Sequence, residues 1–254
     1  MDDKPKIWTA ALVAIGDELL SGRTQDKNVA QLAVWLNDQG IRLAEVRIVA
    51  DHQEAIVAAV NALRPVHDYL FTTGGIGPTH DDITVDAIAA AFGVPVVIHP
   101  AARAILEDYY RGRPGGLSDA RLRMARVPEG AQLIPNPSSG APGVMLDNVF
   151  ILAGVPHIAA SMLDALSGKL EGGRPMVSMT IGARAPESEV ADLLRETEGA
   201  FAGVAIGSYP FFKDGRYGAN FVIRSDDADL VRDCGEALAD GLRKAGYEPV
   251  TGGI

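Results

Sequence analysis

The chain has 254 residues, of which 47% are hydrophobic and 22% charged, the composition of a folded globular protein. Its 33 acidic residues outnumber 23 basic ones, and the resulting net charge of −10 disfavours binding to nucleic-acid phosphates. The single cysteine, Cys234, excludes an internal disulfide framework and a Cys-rich zinc site. No apolar run reaches the ~18 residues needed to span a bilayer, and residues 1–6 are polar with no signal-peptide core. We therefore expect a cytoplasmic protein with no membrane partner.

Strand-like and helix-like segments alternate through the first two thirds of the chain. Apolar, partly β-branched runs predict strands, and apolar residues at helical spacing predict the helices that follow them. The predicted pairs are strand 9–15 with helix 28–37, strand 43–49 with helix 55–63 and strand 69–73 with helix 83–92, followed by strand 94–98, helix 101–110, strand 149–152 and helix 156–166. Such repeated units predict an α/β fold, in which helices cover both faces of a mostly parallel sheet.

A glycine- and proline-rich stretch, 168–175, interrupts this pattern and predicts a linker. It separates a large domain, 1–170, from a small α+β domain, 175–254. The small domain shows a βαββα order, with strand 176–181, helix 187–201, strand 204–209, a tight turn at 213–215, strand 219–224 and helix 228–245. This order suggests RNA binding, but thirteen acidic against eight basic residues from Pro175 onward weaken that interpretation.

The loop after the third predicted strand has the sequence Thr-Thr-Gly-Gly-Ile-Gly-Pro-Thr-His-Asp-Asp-Ile-Thr, residues 72–84. Gly74, Gly75 and Gly77 allow the backbone to approach an anion closely, and the next helix points its positive end at the same place. Ligands of open parallel sheets bind at the carboxyl ends of the strands. The loop therefore predicts a phosphate-binding site. It lacks the lysine of a Walker loop and the spacing of a Rossmann fingerprint.

Two aspartates, Asp81 and Asp82, lie inside this phosphate-binding loop. Carboxylates repel a polyanion unless a cation lies between them, so we expect Asp81 and Asp82 to bind Mg²⁺ or a similar divalent ion. The simpler alternative is that Asp82 caps the helix predicted to begin at Ile83. That alternative explains only one of the two aspartates.

Carboxylates also follow the first and second predicted strands. Glu18 lies in a glycine-containing turn, and Asp51 precedes a helix, where an N-cap is its simpler role. Because the carboxyl ends of parallel strands share one edge of a sheet, these two residues and the aspartates of the glycine-rich loop are expected on the same rim. A further loop, 135–143, is either a plain surface turn or a segment that closes over a ligand.

Four segments of the large domain carry a family pattern. They are Gly16-Asp17-Glu18-Leu19-Leu20-Ser21-Gly22 with Asp26 and Asn28, then Thr73 to Thr84, then Asn136 to Gly143, and Gly154-Val155-Pro156. In this order, over residues 7–166, they resemble the N-terminal half of the CinA competence/damage-inducible family. That half is similar to the MoaB and Mog molybdenum-cofactor proteins and to the N-terminal domain of eukaryotic FAD synthases. Segments 208–210 and 215–218 resemble the small KH-like module of the same proteins.

The resemblance implies a three-layer α/β/α molybdopterin-binding-like domain and a metal-dependent pyrophosphatase that cleaves ADP-ribose or FAD. Residues that match Asp51 and Asp82 are functional in Mog-type relatives, and we expect Asp51, Asp81 and Asp82 to be catalytic, with the divalent metal at Asp81 and Asp82. We expect the substrate to contact the following residues: Gly16, Glu18, Gly74, Gly75, Gly77, Thr79, Ser139 and Gly140.

Two other functions stay open. The same pocket would suit a molybdopterin adenylyltransferase-like enzyme, with molybdopterin as its ligand, or a non-catalytic pterin- or nucleotide-binding protein. In every case we expect a small-molecule nucleotide or pterin partner and a homo-oligomer. The Glu-Ser-Cys-Thr-Gly-Gly-type motif of the CinA amidase domain is absent, and Cys234 lies in an apolar helical stripe, so no amidase activity is expected.

Overall fold

The computed structural model describes residues 6–254. The polar stretch 1–5, in which no signal peptide was expected, lies outside the described residues. The chain divides into two compact units, one ending at Gly173 and the other running from Arg174 to Ile254. Among the described residues, no helix is long and apolar enough to cross a membrane.

A six-stranded sheet forms the centre of the first unit. Its strands are β1 (Trp8–Ile15), β2 (Ile41–Val49), β3 (Tyr69–Thr73), β6 (Gln132–Ile134), β7 (Gly143–Leu146) and β8 (Val149–Leu152), in the order β2-β1-β3-β8-β7-β6. The first four strands of this order run parallel, and β7 and β6 continue the sheet antiparallel. The expected mostly parallel sheet is confirmed. The sequence pattern did not predict β6 and β7, because three or four residues are too few to show alternation.

Helices of the first unit cover both faces of this sheet. They are α1 (Asp17–Leu20), α2 (Asn28–Asp38), α3 (Gln53–Leu63), α4 (Thr84–Phe92), α5 (Pro100–Tyr110), α6 (Asp119–Leu122) and α7 (Pro156–Asp164), with a 3₁₀ turn at Arg123–Ala125. Strand β1 shows how the layers form. Its residues Val13 and Ile15 pack with α3 and α4, whereas Leu12 packs with α2 and α7 on the opposite face. Because both faces of β1 are buried from Ala10 to Ile15, this part of the strand is apolar throughout. The three-layer α/β/α fold is confirmed.

Two short strands lie outside the central sheet. β4 (Val96–Ile98) and β5 (Arg126–Pro128) pair antiparallel with each other. The strand predicted at 94–98 begins only at Val96 and is therefore two residues shorter in the structure. Near this pair, Ala102 and Leu106 of α5 form a small apolar cluster with Ala125 of the 3₁₀ turn.

The second unit is a four-stranded antiparallel sheet with two helices. Its elements are β9 (Val177–Ala183), α8 (Glu187–Ala200), β10 (Ala205–Lys213), β11 (Arg216–Ser225), α9 (Ala228–Lys244) and β12 (Val250–Thr251), with strand order β10-β11-β9-β12. Asp214 and Gly215, with φ of 54° and 72°, form the two-residue turn between β10 and β11. The small α+β module is confirmed, and the short β12 is an addition to the expected βαββα order.

Candidate functional site

A cleft of about 660 Å³ opens in the first unit at the carboxyl ends of the parallel strands. Its lining includes Glu18 after β1, Asp51 after β2, the glycine loop (residues 74–82) after β3, and Gly154 after β8. A cleft of this size accommodates a nucleotide or a pterin. The parallel strand order brings these segments together, since all four strands end at the same edge of the sheet.

Most of the residues expected to form the site line this cleft. They are Gly16, Glu18, Asp51, Gly74, Gly75, Gly77, Asp81, Asp82 and Ser139. Thr79 and Gly140 do not line it: Thr79 donates hydrogen bonds to Asp82, and Gly140 lies against the ring of Tyr109. Both residues therefore contact residues that line the cleft, and their own contact with substrate stays a prediction.

Gly74 begins the glycine loop in a position that only glycine can occupy. Its φ is +100°, and a Cβ atom there would lie 2.2 Å from the backbone oxygen of Ile15. Thr84, which is fully buried at the start of α4, holds the loop from the other side. Its Oγ1 donates to the Gly74 oxygen at 2.8 Å, and its N–H donates to the Gly75 oxygen at 3.0 Å. The loop is therefore held between β1 and α4.

The middle of the glycine loop leaves its backbone donors unused. The N–H groups of Gly75, Ile76 and Gly77 donate no hydrogen bond within the described part of the chain. All three residues line the cleft. Successive amides of this kind are available to an anion, and this arrangement is the one expected for a phosphate.

Asp82 closes the turn at the end of the glycine loop. Its Oδ2 accepts a hydrogen bond from the Thr79 N–H at 2.7 Å and another from Thr79 Oγ1 at 2.5 Å. Helix α4 begins at Thr84, with Ile83 as its N-cap residue and no side-chain cap. The alternative in which Asp82 caps this helix is therefore wrong, because its carboxylate folds back to Thr79.

Asp51 connects the loops that follow β1 and β2. Its Oδ2 accepts a hydrogen bond from the Asp17 N–H at 2.9 Å. Helix α3 has His52 as its N-cap residue and no side-chain cap, so the N-cap alternative for Asp51 is also wrong. Partial burial raises the pKa of Asp51, the Asp17 N–H opposes this, and the charges of Asp17, Glu18 and Asp81 raise it further. The cleft thus disfavours the negative charge of Asp51 when no cation is present.

Asp81 is the most solvent-accessible aspartate of the loop. Its side chain is 68% exposed, and its Oδ1 lies 4.0 Å from Nδ1 of His80, a fully exposed side chain. Hydrogen-bond donors of the same loop lower the pKa of Asp81, so this carboxyl is ionised at neutral pH. Among the described residues, no group of three or more His, Cys, Asp or Glu side chains is arranged to hold a metal. Metal binding by the pair Asp81 and Asp82 stays a prediction.

The 136–143 loop forms a wall of the cleft. Asn136 is nearly buried, and its Nδ2 donates to Ser139 Oγ and to the Ala141 oxygen, both at 2.7 Å. Its Oδ1 accepts from the N–H groups of Ser138 and Ser139 at 3.1 and 3.3 Å. Of these residues, Asn136, Ser139 and Ala141 line the cleft. One side chain thus organises a loop that borders the cleft, and closure of this loop over a ligand stays a prediction.

An apolar wall completes the cleft. It comprises Tyr109, Tyr110, Met124, Ile158 and Met162. None of these residues was expected to form the site. The two tyrosine rings meet edge to face, with centroids 5.1 Å apart. In the sequence, the adjacent tyrosines at the end of a predicted helix were the feature that could have indicated this wall. Apolar side chains opposite free amides suit a ligand with a flat ring at one end and phosphates at the other.

Residues 11–171 match the family model of a probable molybdopterin binding domain. The chain belongs to that family. Residues 175–250 match the model of the middle domain of FAD synthase. The two family matches follow one another along the chain, as in the pattern expected from the sequence.

Individual relatives support the same family. A protein of Aeropyrum pernix is 33% identical over 219 residues, which cover 83% of this chain and 81% of that protein. A CinA-like protein of Desulfosudis oleivorans is 38% identical over 61% of this chain, but the match spans only 38% of that protein. The crystal structure of CinA from Thermoplasma acidophilum, described as a protein of unknown function, is 31% identical with a TM-score of 0.60, and the match covers 64% of this chain and 98% of that one. The expected resemblance to the CinA N-terminal half is confirmed.

Proposed function

We propose that the first unit hydrolyses the pyrophosphate bond of a dinucleotide such as ADP-ribose or FAD. One observation carries this proposal: the free amides of the glycine loop and the carboxylates Asp51, Asp81 and Asp82 line the same cleft. The amides suit a phosphate, and the carboxylates suit the activation of a water molecule. The match of residues 175–250 to a domain of FAD synthase supports a nucleotide substrate.

In the proposed reaction, a water oxygen attacks one phosphorus atom and the P–O–P bond breaks, so two phosphate monoesters leave. The N–H groups of Gly75, Ile76 and Gly77 would hold one phosphate and stabilise the charge that develops on its oxygens. An ionised carboxylate would accept the proton of the water, and Asp51 and Asp82 are the candidates for this base.

A divalent ion enters this proposal together with the substrate. Mg²⁺ keeps several of its water ligands and usually binds through one or two carboxylates plus substrate phosphates. Asp81 and Asp82 would then receive an ion that the dinucleotide carries. Bound in this way, the ion would neutralise part of the phosphate charge beside the cleft carboxylates.

The test is the release of AMP from ADP-ribose or FAD by the purified chain, with and without Mg²⁺. Asp82→Asn keeps an acceptor for Thr79 and removes only the charge, so we expect kcat to fall by at least ~100-fold. Asp38→Asn changes an exposed residue at the end of α2, outside the cleft, and should leave turnover unchanged. Equal turnover by the Asp82→Asn variant and the wild type would refute the role of Asp82. No AMP release from either substrate would refute the pyrophosphatase.

The family match favours a second function, the transfer of an adenylyl group from ATP to molybdopterin with loss of pyrophosphate. The apolar wall with Tyr109 and Tyr110 would accept a pterin ring as well as a purine or flavin. ATP-dependent formation of an adenylylated pterin, without turnover of ADP-ribose in the absence of ATP, would select this function. Retention of pterin or nucleotide without any turnover would select a binding protein.

A further inference from the structure

A small recess of about 20 Å³ adjoins the cleft behind the glycine loop. It shares Gly75, Ile76, Gly77, Asp82 and Met124 with the cleft lining. The remaining lining residues include two arginines, Arg123 from the 3₁₀ turn and Arg126 from β5. A volume of this size holds about one water-sized atom, so one oxygen of a larger ligand would fit.

The two arginines of the recess differ in their partners. Arg126 forms an ion pair with Asp86 of α4, and both side chains are about two thirds or more buried. Among the described residues, the side chain of Arg123 forms no ion pair or hydrogen bond, and its Nε is shielded from solvent without an acceptor. A guanidinium stays protonated in proteins, so Arg123 brings a positive charge without an ion-pair partner, and a buried donor, to the recess.

The carboxylate of Asp82 does not supply the acceptor that Arg123 lacks. Asp82 lines the same recess, yet its Oδ2 accepts both hydrogen bonds from Thr79, and it forms no ion pair with Arg123. The N–H groups of the glycine-loop residues that line the same recess are also unused in the described part of the chain. Among the described residues, neither the side chain of Arg123 nor these amides hydrogen-bond to a protein acceptor. An oxygen of an anionic ligand would satisfy both sets of donors.

We propose that Arg123 is a phosphate-binding residue, whose guanidinium and the glycine-loop amides together hold one oxygen of the substrate pyrophosphate. This inference rests on the proposed function, because it concerns the phosphate that the proposed reaction cleaves. It also gives the acidic cleft a positive charge of its own. With Arg123 in this role, the anion is attracted by the protein even when no divalent ion is bound.

The experiment measures binding of inorganic pyrophosphate by titration calorimetry in metal-free buffer. Arg123→Gln should weaken the affinity at least about tenfold, since a charged hydrogen bond is lost. Arg123→Lys should recover part of the affinity, because it restores the charge but not the planar fork. Arg103→Gln is the matched control, since Arg103 is an exposed residue of α5 that pairs with Glu107 and lies outside both cavities.

A stability measurement separates binding from a structural role. Because Nε of Arg123 has no acceptor, Arg123→Gln should not lower the Tm of the ligand-free protein, whereas loss of a structural arginine would lower it. A wild type that does not bind pyrophosphate, or equal affinity in Arg123→Gln, would overturn the role of Arg123 whether or not ADP-ribose is hydrolysed. Weakened binding by Arg123→Gln, with no hydrolysis of ADP-ribose or FAD by the wild type, would support the anion site and refute the pyrophosphatase.

Discussion

The Thr84 hydroxyl donates a 2.8 Å hydrogen bond to the carbonyl oxygen of Gly74, ten residues earlier in the chain, and the bond is buried. A second bond, from the Thr84 N–H to the Gly75 oxygen, lies beside it. Together they connect the first turn of α4 to the glycine loop. The amides that line the cleft are therefore held by the helix that follows them, and binding need not first order the loop.

Thr84→Val should loosen the glycine loop. The substitution keeps the shape of the side chain but leaves the Gly74 oxygen without its donor, at a cost of about 1–3 kcal/mol in the free energy of unfolding. Urea unfolding measures this loss, and pyrophosphate affinity should fall in parallel. Thr84→Ser retains the hydroxyl and is the control. Full affinity in Thr84→Val would show that the loop keeps its shape without this bond.

Gly140→Ala should disturb the wall between the 136–143 loop and Tyr109. Gly140 has a φ of +78°, and a Cβ there would lie 2.6 Å from two ring atoms of Tyr109. Gly130 has a similar φ of +84° but nothing within 4 Å, so Gly130→Ala measures the backbone strain alone. We expect Gly140→Ala to lose about 1–3 kcal/mol more than the control in urea unfolding. Equal losses would mean that Tyr109 moves aside without cost.

Asp51→Asn should stabilise the ligand-free protein at neutral pH. Burial, together with neighbouring carboxylates, raises the pKa of Asp51 above its ordinary value of 3.8. Ionised Asp51 therefore opposes folding above its raised pKa, and this penalty shrinks as the pH falls through that pKa towards 3.8. Asparagine still accepts the hydrogen bond from Asp17. The gain should be largest at neutral pH and should vanish below 3.8.

Urea unfolding over a pH series measures the effect at Asp51. Glu129→Gln removes one charge at an exposed turn outside the cleft and should show no comparable gain at neutral pH. A gain for Asp51→Asn that is the same at acidic and neutral pH would contradict the explanation by charge. Addition of Mg²⁺ with pyrophosphate should reduce the advantage of the variant, since a bound cation favours the ionised carboxylate.

Cys234 should react with thiol reagents only when the second unit opens. The side chain is fully buried among apolar residues of the β9–β11 sheet and α9. Burial raises the pKa of the thiol, and Glu198 raises it further, so little reactive thiolate forms. Labelling with a disulfide reagent at pH 8 should be slow for the native protein and reach one equivalent in guanidinium chloride. Rapid labelling of the native protein would contradict this burial.

Several parts of the site follow from local sequence. The apolar run of β1 and the strand–helix alternation predict a parallel sheet, and chain direction then places Glu18, Asp51 and the glycine loop on one rim. The glycines themselves indicate an anion-binding backbone. The short strands β6, β7 and β12 escape such prediction, because they are stabilised by pairing with distant strands and carry no pattern of their own.

The partners of individual side chains did not follow from helix-capping propensity. Local propensity favours a helix-capping role for Asp51 and Asp82. In the structure, Asp51 accepts a hydrogen bond from the Asp17 N–H, and Asp82 accepts one from the Thr79 N–H. The partner of Asp51 is 34 residues away in the chain, whereas that of Asp82 lies in its own loop, whose turn folds the carboxylate back.

The sequence by itself determined the fold class, the family and the rim on which the carboxylates and the glycine loop meet. The fold class and the rim follow from short-range periodicity and from the polarity of parallel strands, and the family follows from the resemblance of four motifs in their order. Only the tertiary structure added the apolar wall from α5, Met124 and α7 and the unpaired Arg123 behind the glycine loop. Burial and charge compensation depend on what the folded chain brings together, and spacing along the sequence does not encode them.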